Sequence, residues 1–306
     1  MAGEQPAPPD HFYGGQAVLE GVMMRGRDHW AIAVRRPDAS IHLESHQIRS
    51  IGKRFPILAK PGIRGVLALG QALSIGVKAL TVSANQSVEE REKLSPGQMA
   101  ASMAFALLLF VGVFVVGPYL GFRTLRHRVG SSVERNLLEG VFRVLLFLGY
   151  LALIGRMKEI KRVFQYHGAE HKTIAAFEHG DTLEPEAVDR FSTLHVRCGT
   201  NFLLIVMVLT ILVYAAFPAR GILWGILSRV IAIPVIAGLS YEALRLGARY
   251  GRSRTMRVLM APGLWLQKIT TKPPDHAQVE VAIASFQEVL RREREAAAEP
   301  GSAGRS

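Results

Sequence analysis

Two long apolar stretches without a charged residue constrain this chain more than any other feature of its sequence. They cover residues 99–122 and 198–219. About 20 apolar residues in a helix are enough to cross the hydrocarbon core of a bilayer. A chain of 306 residues that carries two such stretches is therefore predicted to be an integral membrane protein.

Two further apolar runs contain charged residues but are still long enough to span a membrane. Residues 136–155 carry Glu139 and Arg143, whose i, i+4 spacing lets them pair on one helix face. The other run covers residues 221–246 and has three interruptions, Arg229, Pro234 and Glu242. With these two runs the sequence predicts about four spans, arranged as two membrane hairpins.

Residues 62–84 have a weaker apolar pattern that is broken by polar and charged side chains. The apolar positions recur at helical spacing, at Val66, Leu69, Leu73, Val77 and Leu80. This pattern predicts an amphipathic helix that lies at the membrane interface rather than a further span.

The first 61 residues differ in character from the rest of the chain. Residues 1–12 are polar and rich in proline, which predicts a disordered tail. Residues 13–61 contain alternating branched side chains between turn signals, which predicts a small β-rich portion. Within it, the glycine-rich stretch 14–26 holds three polar residues, Gln16, Glu20 and Arg25. They are either part of a functional site or purely structural.

Together these segments predict an α-helical integral membrane protein of about four spans with a small N-terminal β-rich cytoplasmic portion. Five regions are expected after residue 61: an interfacial helix and linker (62–98), a first membrane hairpin (99–155), a cytoplasmic loop (156–200), a second membrane hairpin (201–247), and an interfacial segment with a C-terminal helix (248–298).

The charge balance agrees with a membrane location. Lys and Arg number 37 against 25 Asp and Glu, which gives a net charge of +12. The excess is spread over short segments and accompanies no nucleic-acid-binding motif, so it is assigned to cytoplasmic loops and contact with the lipid bilayer. The single cysteine, Cys198, excludes an intramolecular disulfide. The expected partners are lipid and a membrane protein or a second copy of the chain, and no nucleic acid.

The sharpest chemical motif is a pentapeptide of the H-x-x-E-H type, the inverted zincin pattern, at residues 167–171. On a helix, His167 and His171 lie one turn apart on the same side, so both imidazoles can bind one metal ion. Glu170 is rotated by roughly 100° from His171, which suits a general base better than a metal ligand. The alternative is a juxtamembrane helix whose histidines face solvent or bind phosphate.

Two further residues are candidates to complete a tetrahedral zinc shell. His195 and Cys198 lie three residues apart, so they share a face if this stretch is helical. Alternatively, both residues only pack at the start of a helix, or Cys198 acts as a nucleophile. Glu178 lies on the face of His171 but roughly 10 Å along the helix, too far for the same metal. Glu242 is either a distal ligand or a partner of Arg245 at the interface.

Four separate motifs, in chain order, resemble those of the YqhQ-like family of bacterial membrane proteins. They occupy residues 14–26, 167–172, 192–201 and 261–267, and the resemblance extends over residues 12–292. The family is known as a group of predicted metal-dependent enzymes without an established reaction. The resemblance implies a bacterial cytoplasmic membrane location and supports five site residues: His167, Glu170, His171, His195 and Cys198.

Two functions of different classes are consistent with these motifs. The first is a membrane-embedded metal-dependent enzyme. Its simplest form is a hydrolase in which a divalent metal, with zinc as the expected ion, activates water. The second is a non-catalytic membrane scaffold, in which the histidines hold a structural metal or none and the N-terminal sheet binds a partner. Three ligands around an open position favour the first, and a closed shell of four favours the second. A transporter is disfavoured because the sequence shows no inverted repeat.

The distribution of basic residues predicts the orientation of the spans. Lysines and arginines concentrate in the loop 156–197 and again over residues 245–257, whereas the turn between the third and fourth spans exposes Arg220 alone. The positive-inside rule then places both termini and the loop 156–197 in the cytoplasm. The four arginines of the loop 123–135 oppose this orientation.

Cysteine accessibility tests this topology. In a Cys198→Ala background, a cysteine introduced at Asp181 is expected to react with a membrane-impermeant maleimide only after the cells are permeabilised. A cysteine at Ser131, between the first and second spans, is expected to react in intact cells. Labelling of the Asp181→Cys protein from outside intact cells would show that the orientation is wrong.

Overall fold

The computed structural model describes residues 13–48, 60, 62–89, 93–124, 131–195, 198–216, 221–250 and 253–298. Within these ranges the chain forms a small N-terminal sheet followed by helices. The predicted tail 1–12 lies outside the described residues.

The N-terminal sheet is an antiparallel meander. Its strands are β1 (Gly14–Val18), β2 (Gly21–Arg25), β3 (His29–Arg35) and β4 (Ile41–Gln47), and they neighbour each other in sequence order. The β-rich character predicted for this region is confirmed.

The helices follow the sheet in the order in which they are named here. They are α1 (Ile63–Gln86), α2 (Pro96–Val111), α3 (Gly117–Thr124), α4 (Ser132–Ile154), α5 (Lys158–Glu178), α6 (Pro185–Val188), α7 (Gly199–Ala216), α8 (Ile222–Tyr250), α9 (Arg254–Thr270) and α10 (His276–Ala298). A π-helical turn, Gly112–Val116, connects α2 directly to α3.

The sheet is buried on both faces because its strands carry apolar side chains on both sides. Successive side chains of a strand point to opposite faces. In β3, Trp30 and Ile32 belong to the cluster that includes α1, whereas Ala31 and Ala33 belong to the cluster with α5 and α10. The small alanine side chains let α10 approach closely, and the Ser285 hydroxyl of α10 donates to the carbonyl oxygen of Ala31 at 3.1 Å.

Five helical segments in the described part of the chain are long and apolar enough to cross a membrane. They are α1, the continuous α2–α3 segment, α4, α7 and α8. The last four are the spans predicted from the sequence. Their composition indicates a multi-pass membrane protein, and most of their apolar side chains point away from the protein, as lipid-facing side chains do.

The fifth segment, α1, differs from the other four because the N-terminal sheet packs on one of its sides. Near its start, α1 crosses α8 at Gly65, where a Cβ atom would lie 3.0 Å from the Cα of Gly238. Further along, Ile75 and Ala79 are buried against the sheet. The opposite side exposes apolar side chains, including Val66, Leu73 and Val77. One side of α1 is thus covered by the sheet and the other is apolar, and its interfacial position stays a prediction.

Helix α5 connects the sheet to the candidate site. The helix predicted over residues 166–178 is confirmed, and it begins eight residues earlier, at Lys158. Tyr166, Ala169 and Ile174 pack into one core with β2, β3 and α10. Since these residues anchor one side of α5 to the sheet, the histidines on another side are held toward α9 and the start of α7.

Candidate metal centre

Three potential metal ligands meet where α5 approaches the start of α7. His167 and His171 have ring centroids 4.4 Å apart, and His167 Nε2 lies 3.2 Å from Cys198 Sγ. One ligand atom from each of the three residues lies within 4.8 Å of the others. Zn–N bonds of about 2.0 Å and Zn–S bonds of about 2.3 Å place tetrahedral ligand atoms roughly 3.5 Å apart. The donor set and its spacing therefore fit a tetrahedral cation.

Backbone carbonyl groups fix the orientation of both histidine rings. His167 Nδ1 donates to the carbonyl oxygen of Thr270 at 2.9 Å, and His171 Nδ1 donates to that of Thr193 at 2.6 Å. A carbonyl oxygen can only accept, so each Nδ1 carries the proton and each Nε2 keeps a free lone pair. This is the arrangement in which histidine binds a metal through Nε2.

Cys198 is buried, and its sulfur accepts hydrogen bonds from Thr200. The Thr200 hydroxyl lies 3.2 Å and its backbone nitrogen 3.4 Å from Sγ. Burial raises the pKa of the Cys198 thiol, which opposes its activation as a free nucleophile. Arg197, the preceding residue in the sequence and a candidate to lower this pKa, lies outside the described residues. A cation at this position would instead stabilise the thiolate directly.

Glu170 lies on α5 beside the three potential ligands, and its side chain packs against β1. It receives a hydrogen bond from the backbone of Gly15, and its Oε2 atom has no hydrogen-bond partner among the described residues. Burial raises the pKa of Glu170 to about 7. A Cβ atom on Gly15 would lie 2.9 Å from the Glu170 carboxyl carbon, so only glycine fits at this point of β1. The N-terminal sheet therefore forms one wall of the site.

His195 lies next to the three-ligand cluster without belonging to it. Its ring centroid is 5.6 Å from that of His171, and its Nε2 lies 3.6 Å from a carboxylate oxygen of Glu178. Burial lowers the pKa of His195 to about 4. Of the two residues predicted to complete the metal shell, the structure places Cys198 with the two histidines and His195 beside Glu178.

The backbone of His195 is held by Gln267, a residue that was not singled out from the sequence. The fully buried Gln267 side chain accepts from His195 N and donates to His195 O, both at 2.8 Å. Its amide also lies 3.4 Å from the Asn201 side-chain oxygen at the start of α7. One feature of the sequence could have indicated this role: Gln267 is a polar amide among the apolar residues of the motif 261–267. That segment was interpreted from the sequence as interfacial.

The three polar residues of the stretch 14–26 contact helices next to the sheet rather than the three-ligand cluster. Arg25 donates to Gln71 of α1, and Glu20 forms an ion pair with Arg162 of α5. The amide of Gln16 packs against α1. In the described part of the chain these contacts attach the sheet to its neighbouring helices.

Glu242 is also separate from the cluster. Its carboxylate pairs with the Arg64 guanidinium through two hydrogen bonds, one of 2.7 Å to Nε, and it accepts from the backbone of Gly62 at 3.2 Å. These contacts attach the start of α1 to α8. The ion-pair partner of Glu242 is thus Arg64 of α1 and not Arg245, the partner expected from the sequence.

Fold and site together define a helical protein with several candidate membrane spans and a largely buried His–His–Cys cluster beside a small sheet. Over residues 60–292 the chain matches the family described as "Protein of unknown function (DUF1385)". The chain belongs to this family.

A curated relative covers nearly the whole chain. It is the "Uncharacterized protein YqhQ" of Bacillus subtilis (strain 168), 37% identical over 295 residues, which are 92% of this chain and 93% of the relative. No solved structure matches the chain significantly. The family resemblance predicted from the four motifs is confirmed.

Replacing Gln267 tests whether it holds the segment that carries His195. Gln267→Leu leaves both His195 backbone groups buried without their partner, at a cost of about 1–3 kcal/mol for each group. Hydrogen–deuterium exchange in the peptide that contains His195 is expected to become markedly faster. Gln267→Glu keeps the acceptor and loses the donor, so its exchange should be intermediate. Exchange in Gln267→Leu equal to that of the unchanged protein would exclude this role.

Proposed function

We propose that this protein is a bacterial multi-pass membrane protein that binds a divalent cation through His167, His171 and Cys198. The expected ion is Zn²⁺, and the protein uses it for a hydrolytic reaction. One observation carries the proposal: two imidazoles and a thiol from separate parts of the chain converge within 4.8 Å.

The hydrogen bonds around the cluster support a metal rather than a simple histidine–cysteine contact. Each Nδ1 is occupied by a backbone carbonyl, which leaves His167 Nε2 and His171 Nε2 available on the side of Cys198. Three protein ligands leave one tetrahedral position for water or substrate, as in catalytic zinc sites. A structural site would close the shell with a fourth ligand, and His195 is oriented toward Glu178 instead.

Glu170 is placed to act as the general base of this reaction. A cation in the cluster supplies Lewis-acid activation of water. The backbone of Gly15 donates to Glu170, and Oε2 is left to take a proton from the water. The raised pKa of Glu170 agrees with this role, because a base that works near neutral pH transfers the proton onward most readily.

The same proposal places the protein in the bacterial cytoplasmic membrane with both termini and the cluster on the cytoplasmic side. The basic residues of the loop 156–197 support this side. α1 lies along the cytoplasmic surface with its exposed apolar side in lipid. Trp265 of α9 is 66% exposed, as expected for a side chain at headgroup depth. Lipid is the partner that these surfaces support.

Cobalt substitution tests the ligand set and the role of Glu170 separately. The purified protein with bound Co²⁺ is expected to show a thiolate-to-cobalt charge-transfer band and the visible bands of a tetrahedral ion. Cys198→Ser should lose the charge-transfer band, and His171→Ala should lose most of the bound metal. Glu170→Gln should keep metal content and the charge-transfer band, yet fail to complement a strain that lacks the protein.

Matched variants make this test specific. His179→Ala removes an exposed histidine immediately after the end of α5, and it should change neither the spectrum nor the metal content. If Glu170→Gln lost metal as completely as His171→Ala, the carboxylate would be a ligand and not a base. Full complementation by Glu170→Gln would reject the enzyme and favour a scaffold that holds a structural metal.

A further inference from the structure

Three charged residues lie inside the predicted spans, on the side of the bundle away from the metal cluster; two of them, Glu139 and Arg229, are buried, and the side chain of the third, Arg143, is 11% exposed. Glu139 and Arg143 lie on α4 and Arg229 lies on α8. The Glu139 carboxylate is 2.7 Å from the Arg143 guanidinium and 3.1 Å from that of Arg229. The predicted pair of Glu139 with Arg143 is confirmed, and Arg229 joins it from the neighbouring span.

Aromatic rings enclose the Arg229 guanidinium. Its central carbon lies 4.1 Å from the ring centroid of Tyr119 and 4.8 Å from that of Tyr214. The Tyr214 hydroxyl donates to the backbone carbonyl oxygen of Arg229 at 3.0 Å. Arg229 therefore has one carboxylate and two ring faces to stabilise its charge.

The two arginines and Glu139 together carry a net charge of +1. Arginine remains protonated in proteins, so two guanidinium groups share the single Glu139 carboxylate. Among the described residues no other carboxylate pairs with either arginine. The Nε atoms of Arg143 and Arg229 are buried and have no hydrogen-bond partner there. An uncompensated charge at this depth is costly and marks a functional site.

We infer that Arg143 binds a phosphate group at this site. A guanidinium fork matches the oxygen atoms of a phosphate, and a phosphate supplies the missing negative charge. Arg229 is already enclosed by Glu139 and two rings, which leaves Arg143 as the residue that contacts the ligand. The site is independent of the proposed metal centre, because α4 and α7 place the two at opposite ends of the bundle.

The surroundings of Arg143 favour a lipid phosphate over a free one. The Arg143 side chain points toward Glu139 and keeps an exposure of 11%, whereas Val141 and Leu145 are exposed on the opposite face of α4. In a span the exposed part of a side chain meets lipid and not water, so a phosphate that reaches Arg143 arrives on an amphiphile. Arg123 lies 3.5 Å from the Tyr119 hydroxyl and adds positive charge at the same end of the bundle.

Native mass spectrometry of the full-length protein tests this inference. The probes are phosphatidylglycerol, phosphatidylcholine and inorganic phosphate, each titrated into detergent-solubilised protein. The unchanged protein is expected to retain phosphatidylglycerol in preference to phosphatidylcholine. Arg143→Leu should weaken phosphatidylglycerol binding by at least about tenfold, because a charge-assisted hydrogen-bonded pair is lost.

The variants are chosen so that binding and folding are separated. Arg143→Leu keeps the neutral pair of Glu139 with Arg229, so it should elute as a folded protein in size-exclusion chromatography. Arg143→Lys keeps the charge without the fork and should bind phosphatidylglycerol with intermediate affinity. Arg156→Gln removes an exposed charge just after α4, at the other end of the bundle, and should bind like the unchanged protein.

The two sources of phosphate give different results. Binding of inorganic phosphate alone, lost in Arg143→Leu, would support the site and identify its ligand as free phosphate. A preference for phosphatidylglycerol that is equal in Arg143→Leu and Arg156→Gln would overturn the inference, as would the absence of binding of both phosphate sources by the unchanged protein.

Discussion

The close approach of α5 to the chain that follows α9 is the constraint on which the rest of the site depends. A Cβ atom on Gly168 would lie 2.1 Å from the carbonyl oxygen of Lys272, so this contact requires glycine between the two metal-binding positions of the motif. The approach allows Lys272 N to donate to Phe164 O at 2.8 Å and brings the Thr270 carbonyl to His167. The backbone that fixes the first histidine is thus in place only because α5 lacks a side chain at this position.

The features that the sequence predicted are local ones. Hydropathy over 20 residues identifies spans, and i, i+4 spacing places His167 beside His171 and Glu139 beside Arg143, because helix geometry alone determines those distances. The contacts of Gln267 with His195 and of Arg64 with Glu242 join residues 72 and 178 positions apart. No periodicity encodes such pairs, since tertiary packing decides which polar groups meet. The choice of Cys198 over His195 as the third ligand was open for the same reason.

Helix α1 connects the N-terminal sheet to the long apolar helices. By length and hydropathy it could itself cross a membrane. Near its start it packs closely against α8, and further along Ile75 and Ala79 pack against the sheet. Since Gly15 of this sheet lies against Glu170, α1 joins one wall of the candidate site to the helices that are candidate spans.

X-ray absorption spectroscopy at the zinc edge tests the central claim most directly. The detergent-purified protein, reconstituted with one equivalent of Zn²⁺, is expected to show one sulfur at about 2.3 Å and nitrogen or oxygen ligands at about 2.0 Å, with the outer-shell scattering of two imidazoles. Cys198→Ser should remove the sulfur and keep the imidazole signal. A shell of oxygen atoms without sulfur in the unchanged protein would contradict the proposed centre.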